Sequence, residues 1–243
     1  MPLLRFDIGR VFSGLVGSSE ENMRSALKLA EATAPSILWI DEIEKGFGSA
    51  ATGGGDSGTS QRVFGTFLTW MQEKKHPVFV VATANAIDRL PPELLRKGRF
   101  DEIFFVDLPT RGERMIIWRL HLERRLLPGT PVAAELTLDD NLLGRIADSS
   151  EGFSGAEIEQ AVISACFDAF ASRRAVTEGD LIHAVENTVP ISVTQAESIA
   201  ATRRWAGDRA VAATSSEDSE QYQAEPTDGD DVSDWRGGRR IEF

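Results

Sequence analysis

The feature that most constrains the fold is an apolar run that stops on two carboxylates, "SILWI" at 36–40 followed by Asp41 and Glu42. A run that is apolar throughout, rather than alternating, suits a strand buried on both faces of a parallel sheet. "LLRFD" (3–7) reads as a short strand, "PVFVVATA" (77–84) as another buried strand and "EIFFVDLP" (102–109) as a further one. Helically spaced segments separate them. In "GSSEENMRSALKLAEATAP", Ser18 or Ser19 can cap a helix, and Glu20 and Glu21 favour the positive end of its dipole. Met23, Leu27 and Ala30 form its apolar stripe, and Pro35 stops it. "TSQRVFGTFLTWMQEK" resumes helical spacing through Val63, Phe67, Leu68 and Met71. The glycines of "GFGSAATGGGDSG" (46–58) predict a loop, and "LPPELLRKGRF" holds a short helix opened by Pro92. Strands that alternate with helices predict an α/β fold with a parallel sheet and right-handed crossovers.

After Pro109 the strand signals disappear. "RGERMIIWRLHLERR", "DDNLLGRIADSS", "SGAEIEQAVISACFDAFASRR" and "TEGDLIHAVENT" are successive amphipathic helices with Ser, Thr or Asp near their starts. The predicted organisation is an α/β domain over 1–110, an all-helical domain over 111–190, one more helix within 191–214 and a tail over 215–243. The tail is rich in Ser, Asp and Glu with few apolar residues, a composition that predicts disorder.

Charge narrows the function classes. The net charge is -12, but residues 217–234 alone hold eight acidic residues and no basic one. Residues 1–216 carry 29 acidic and 23 basic residues, so the folded part is only mildly acidic. This disfavours a protein that relies on the nucleic-acid backbone for affinity. The single cysteine, Cys166, lies in an apolar run and reads as a small buried hydrophobe; one cysteine allows no internal disulfide, which suits a reducing cytoplasm. No signal peptide and no apolar stretch approaching the ~18 residues of a membrane span occurs.

Three short stretches carry chemistry. At a strand's carboxyl end, side chains enter the crevice where α/β sheets bind ligands. There Asp41 could hold Mg²⁺ through a water, and Glu42 could polarise an attacking water. Asn85, just past "VVATA", could position water or touch a terminal phosphate; a turn or cap is its alternative role. In "LLRKGRFDE", Arg96 and Arg99 stand three apart, either as a solvated pair or as arginines reaching a neighbouring subunit's phosphates. His76, His121 and His183 are scattered singly and none reads as a metal ligand.

Taken in this order and spacing, strand-Asp-Glu, strand-Ala-Asn and Leu-Leu-Arg-x-Gly-Arg-Phe-Asp resemble the AAA ATPase module, and "EGFSGAEIEQAV" (151–162) extends the match. The resemblance covers roughly residues 3–188. Within the family, "VFSGLVGSSE", "DSGTSQRVFGTFLTWMQEK" and "PVFVVATANAIDRLPPELLRKGRFDEIFFVDLP" look like the AAA proteins of cyanobacteria and plastids. The resemblance implies a P-loop NTPase-type parallel sheet followed by a small all-helical lid domain, with ATP and Mg²⁺ as cofactors. It implies that Asp41 is the magnesium-associated Walker B aspartate, Glu42 the catalytic base and Asn85 the sensor residue. Arg96 and Arg99 match arginines donated across a ring interface, and Gly155 and Ala156 match lid positions beside the nucleotide. Leu15, Val16 and Gly17 match the pore loop, with Leu15 in place of the usual aromatic; Leu15 either grips a threaded chain or packs locally. The family's members usually form hexameric rings with other AAA subunits and remodel macromolecules.

One element of the family pattern is missing. Its phosphate loop, Gly-x-x-x-x-Gly-Lys-Ser/Thr after the first strand, occurs nowhere in these 243 residues. In "GGGDSGTS", Gly53 and Gly58 have the right separation, but Thr59 stands where lysine must be. The resemblance begins at the family's second strand, so the expectation is an incomplete sheet, truncated before its first strand and phosphate loop. A chain of that kind alone binds ATP poorly. The alternative is a non-catalytic interaction or regulatory protein that assembles with intact AAA subunits.

Overall fold

The computed structural model describes residues 1–11, 18–52, 57–96, 98–126 and 136–214. The chain divides into two units, Met1–Glu102 and Ile103–Phe243. The expected pore-loop residues Leu15, Val16 and Gly17, and the tail predicted to be disordered over 215–243, lie outside the described residues.

The first unit is built on a three-stranded parallel sheet, β1 (Leu3–Phe6), β2 (Ser36–Ile40) and β3 (Val78–Ala82), in the order β1-β2-β3. The register places Phe6 opposite Ile40, and Ile40 opposite Ala82. The short helix α1 (Ile8–Val11) follows β1, and α2 (Ser18–Ala32) leads into β2. The expected stripe of α2 is its buried face: Met23, Leu27 and Ala30 are all in the core, with Glu20 and Glu21 in the first turn. Ser36 is fully buried at the start of β2 without being orphaned, since its hydroxyl donates to the Ala30 carbonyl at 2.9 Å.

Residues 46–52 and 57–58, expected as loop, are helical. Helix α3 covers Ile43–Thr52 and α4 covers Ser57–Glu73; residues 53–56 lie outside the described residues. Burial overrides the weak local propensity. Ile43 and Phe47 enter the core, where the Phe47 ring lies 5.1 Å from Phe64 and 5.4 Å from Phe67. Gly46 faces α1 so closely that a Cβ there would stand 2.5 Å from Ile8 Cγ1. The glycine thus permits a helix crossing rather than marking a loop.

Three further expectations are corrected. β3 is not buried on both faces: Val78 is buried, whereas Phe79 and Val81 are 65% and 40% exposed. The described helices of this unit pack against the face formed by Leu4, Phe6, Leu38, Ile40, Val78 and Val80, and the strand alternation turns Phe79 and Val81 the other way. The stretch after Pro92 forms single turns, Leu94 N–H to Pro91 O and Leu95 N–H to Pro92 O, rather than a helix. A short 3-10 turn, Ile87–Arg89, precedes it.

The expected strand at 102–109 shrinks to β4 (Phe104–Phe105) and does not join the three-stranded sheet. It pairs in parallel with β5 (Val211–Ala212), through Val211 N–H to Ile103 O at 2.8 Å and Ala213 N–H to Phe105 O at 2.9 Å. Arg203 Nε adds a 2.8 Å bond to Asp107 Oδ2, so the end of the described chain captures the segment.

The rest of the second unit is helical: α5 (Arg111–Arg125), α6 (Asp140–Ser149), α7 (Gly155–Ala171), α8 (Glu178–Glu186), α9 (Ile191–Thr194) and α10 (Ala196–Gly207). The single helix expected over 191–214 is broken at Gln195, whose φ of −125° leaves the helical region, and gives way to β5. Thr110 with Glu113 and Ser154 with Glu157 form capping boxes that start α5 and α7. Trp118, Leu143, Ile158 and Leu181 are fully buried in this unit's core, and the Trp118 indole N–H is satisfied by Ser150 Oγ at 3.0 Å. Among the described residues no helix is long and apolar enough to cross a membrane.

Candidate functional site

The parallel register brings the carboxyl ends of β2 and β3 together, and with them Asp41, Glu42, Thr83 and Asn85. Thr83 ties the two ends. Its N–H donates to Ile40 O and its carbonyl accepts from Ile43 N–H, both at 2.9 Å. Its hydroxyl donates to Asp41 Oδ1 at 2.7 Å and accepts from Glu42 N–H at 3.0 Å. Glu42 occupies the left-handed region with φ 51°. A non-glycine residue there costs on the order of 1–3 kcal/mol and persists only where its surroundings enforce it. The two flanking bonds to Thr83 are that enforcement, and they aim the Glu42 side chain.

Glu42 has a partner on each oxygen. Asn85 Nδ2 donates to Oε1 at 3.3 Å, and Lys45 Nζ forms an ion pair with Oε2. The hydrogen bond to Glu42 holds the Lys45 ammonium above its ordinary pKa. Asp41 is flanked by Arg5, 3.8 Å from Oδ2, and Arg5 also lies over the Trp39 ring at 5.3 Å. Beneath this exposed group sits a third carboxylate. Glu44 is 7% exposed, its Oε1 accepts the Asn85 backbone N–H at 3.1 Å, and its Oε2 is buried without a partner among the described residues.

The donor set fits magnesium. Asp41 and Glu42 offer only oxygen ligands and remain more than one-third exposed. Among the described residues no three His, Cys, Asp or Glu side chains converge to cage a metal. Magnesium is commonly held by one or two carboxylates while water and phosphate oxygens complete its shell.

The two arginines have different surroundings. Arg96 is exposed and makes no hydrogen bond or ion pair among the described residues. Arg99 is half-buried; with the Gln72 amide oxygen turned towards it, Arg99 Nη2 donates to that oxygen at 2.9 Å, and its Nε is buried without a partner. Gly155 and Ala156 form the first turn of α7 in the second unit, under the Ser154 cap.

Residues 1–108 match the AAA family, "ATPase family associated with various cellular activities". The chain carries an AAA domain. It is 49% identical over 208 residues to an "Uncharacterized AAA domain-containing protein ycf46" from Pyropia yezoensis, covering 86% of this chain and 40% of that protein. The protein of the same name from Guillardia theta is 47% identical over 206 residues, covering 85% and 39%. The chain thus spans about two fifths of the length of the curated relatives it matches. Among solved structures, the FIGL-1 AAA domain in complex with ADP has a TM-score of 0.67 at 20% identity, covering 85% of this chain and 69% of that one. That likeness shows a shared α/β fold.

Local sequence pattern does not single out two residues of the candidate site, Thr83 and Glu44. Thr83 stood inside an apolar run and looked like a strand residue; its place immediately past Ala82, in register with the acidic strand end, was the available signal. Glu44 was legible as a third carboxylate in "DEIE", two positions after Glu42. Its burial under Asn85 emerges only when β3 lies beside β2.

Proposed function

We propose that Asp41, Glu42 and Asn85 form the magnesium- and water-handling part of an ATP-hydrolysing AAA module. Asp41 associates with Mg²⁺ through a water, Glu42 acts as the base towards the attacking water, and Asn85 orients that water or touches the terminal phosphate. Bound Mg²⁺ supplies charge stabilisation to phosphoryl transfer. The observation that carries this reading is the 3.3 Å contact between Asn85 Nδ2 and Glu42 Oε1, which brings together two groups suited to share one water. In the same reading Arg96 and Arg99 are given to a neighbour's nucleotide across a ring interface. Gly155 and Ala156 pack beside the nucleotide, and Leu15, Val16 and Gly17 face a threaded macromolecule in a reducing cytoplasm.

These 243 residues contain no Gly-x-x-x-x-Gly-Lys-Ser/Thr. The backbone amides and lysine of that loop are central to holding ATP. The chain alone therefore binds Mg-ATP weakly and turns it over negligibly. Isothermal titration of Mg-ATP into the purified chain tests this; a micromolar Kd overturns it. The second reading, a non-catalytic partner of intact AAA subunits, draws on the exposed Arg96. On that reading, adding the chain raises the ATPase rate of an intact AAA subunit, and Arg96→Ala abolishes the increase.

A further inference from the structure

The outer surface between α2 and α4 carries a groove of about 620 Å³ that none of the candidate site residues lines. Leu27, Thr66 and Trp70 are among its lining residues, and Gly65 opens its side. Gly65 lies midway along α4, where glycine is a poorer helix former than alanine. A Cβ at Gly65 would meet nothing within 4 Å, so packing within the chain does not require a glycine there. The missing side chain keeps a notch open.

The charge around this notch contrasts with the rest of an acidic chain. Arg24, Lys28, Lys74, Lys75 and His76 line the groove against two carboxylates, Glu31 and Glu73. Glu31 is engaged, since its Oε1 accepts the Trp70 indole N–H at 3.2 Å. Lys74 lies over the Trp70 ring at 5.8 Å, and Arg24 is paired with Glu20 at 2.6 Å. The side chains of Lys28, Lys75 and His76 are exposed and make no hydrogen bond or ion pair among the described residues. Two uncommitted ammonium groups thus line the same groove as Gly65, Leu27 and Trp70. We propose that this groove docks an acidic peptide segment of a partner protein, with an apolar side chain in the Gly65 notch and carboxylates on Lys28 and Lys75. Charge complementarity selects this occupant. A continuous phosphate backbone would also run past Glu73, whereas an acidic peptide can space its carboxylates to reach the lysines and avoid it.

Fluorescence anisotropy on the full chain tests the proposal with a labelled (Glu-Glu-Leu-Ala)₄ peptide. The expected result is saturable, salt-sensitive binding, at least tenfold tighter than for (Gln-Gln-Leu-Ala)₄. Lys28→Glu with Lys75→Glu should weaken it at least tenfold. Gly65→Leu should weaken it similarly while leaving Tm unchanged or raised, which separates a filled notch from a damaged fold. Absent binding, equal binding of the neutral peptide, or indifference to Gly65→Leu overturns the proposal. Tighter binding of labelled oligo-dT, lost in the double lysine variant, overturns it in favour of nucleic acid.

Discussion

The Thr83 hydroxyl donates to Asp41 Oδ1 at 2.7 Å while accepting the Glu42 N–H at 3.0 Å, so one side chain fixes both residues of the acidic pair. The carboxylate at the end of β2 is oriented from β3, and the left-handed Glu42 is held by the same oxygen.

Replacing Thr83 by Val keeps the shape and removes both bonds. The site is partly solvated, so the expected loss is about 1 kcal/mol, the usual net worth of a hydrogen bond. Hydrogen exchange at the Glu42 amide should speed up about fivefold, with Thr83→Ser close to the parent. Unchanged protection in Thr83→Val would argue that the hydroxyl holds nothing.

Glu44 accepts the backbone N–H of Asn85 from a buried position. Truncation to Ala orphans that donor at a cost of about 1–3 kcal/mol, whereas Gln keeps an acceptor in place. Urea unfolding should rank the parent and Glu44→Gln together, above Glu44→Ala. NMR should show the Asn85 amide moving most in the Ala variant.

Gly152 has φ +76°, and a Cβ there would stand 2.1 Å from Ser192 Oγ. Gly152→Ala should destabilise the second unit by about 1–3 kcal/mol, through backbone strain and the clash together. Adding Ser192→Gly removes only the clash, so thermal scans should show partial recovery. Full recovery would mean that the backbone conformation costs nothing.

Acid should weaken the second unit through Asp180. The hydrogen bond from Arg174, helped by bonds from Thr177, holds the Asp180 carboxyl well below the usual carboxylate range. A carboxyl depressed on folding stabilises fully above its unfolded value of about 4, and that stabilisation is lost as pH falls through the folded value. Asp180→Asn should therefore cost about 1–2 kcal/mol at pH 7, as loss of a helix-start partner does. Its deficit should narrow below pH 4. Denaturant titrations at pH 7 and pH 3 check this, and an equal deficit at both would sink it.

Legibility varied with how local each signal was. β2 appears at its expected residues, and the α2 stripe is buried as expected, because strand hydrophobicity and helical spacing are properties of neighbouring residues. The helical state of 46–52 was hidden because the glycines speak for a loop, while the burial of Phe47 and the crossing at Gly46 depend on distant Phe64, Phe67 and Ile8. The partner of β4 was hidden because β5 lies more than a hundred residues away in a two-residue pairing. Propensity cannot register so short a contact.

The sequence by itself determined that Asp41 and Glu42 follow an apolar strand, that Asn85 follows another, and that successive amphipathic helices follow Pro109, because each depends on local pattern. Only the tertiary structure decided that Thr83 bridges the acidic pair, that Glu44 lies buried beneath Asn85, and that Arg96 and Arg99 have unlike surroundings. These relations arise when two parallel strands settle into one register and α4 packs beside them. The partners of each hydrogen bond then come from segments tens of residues apart, where local sequence pattern carries no information about them.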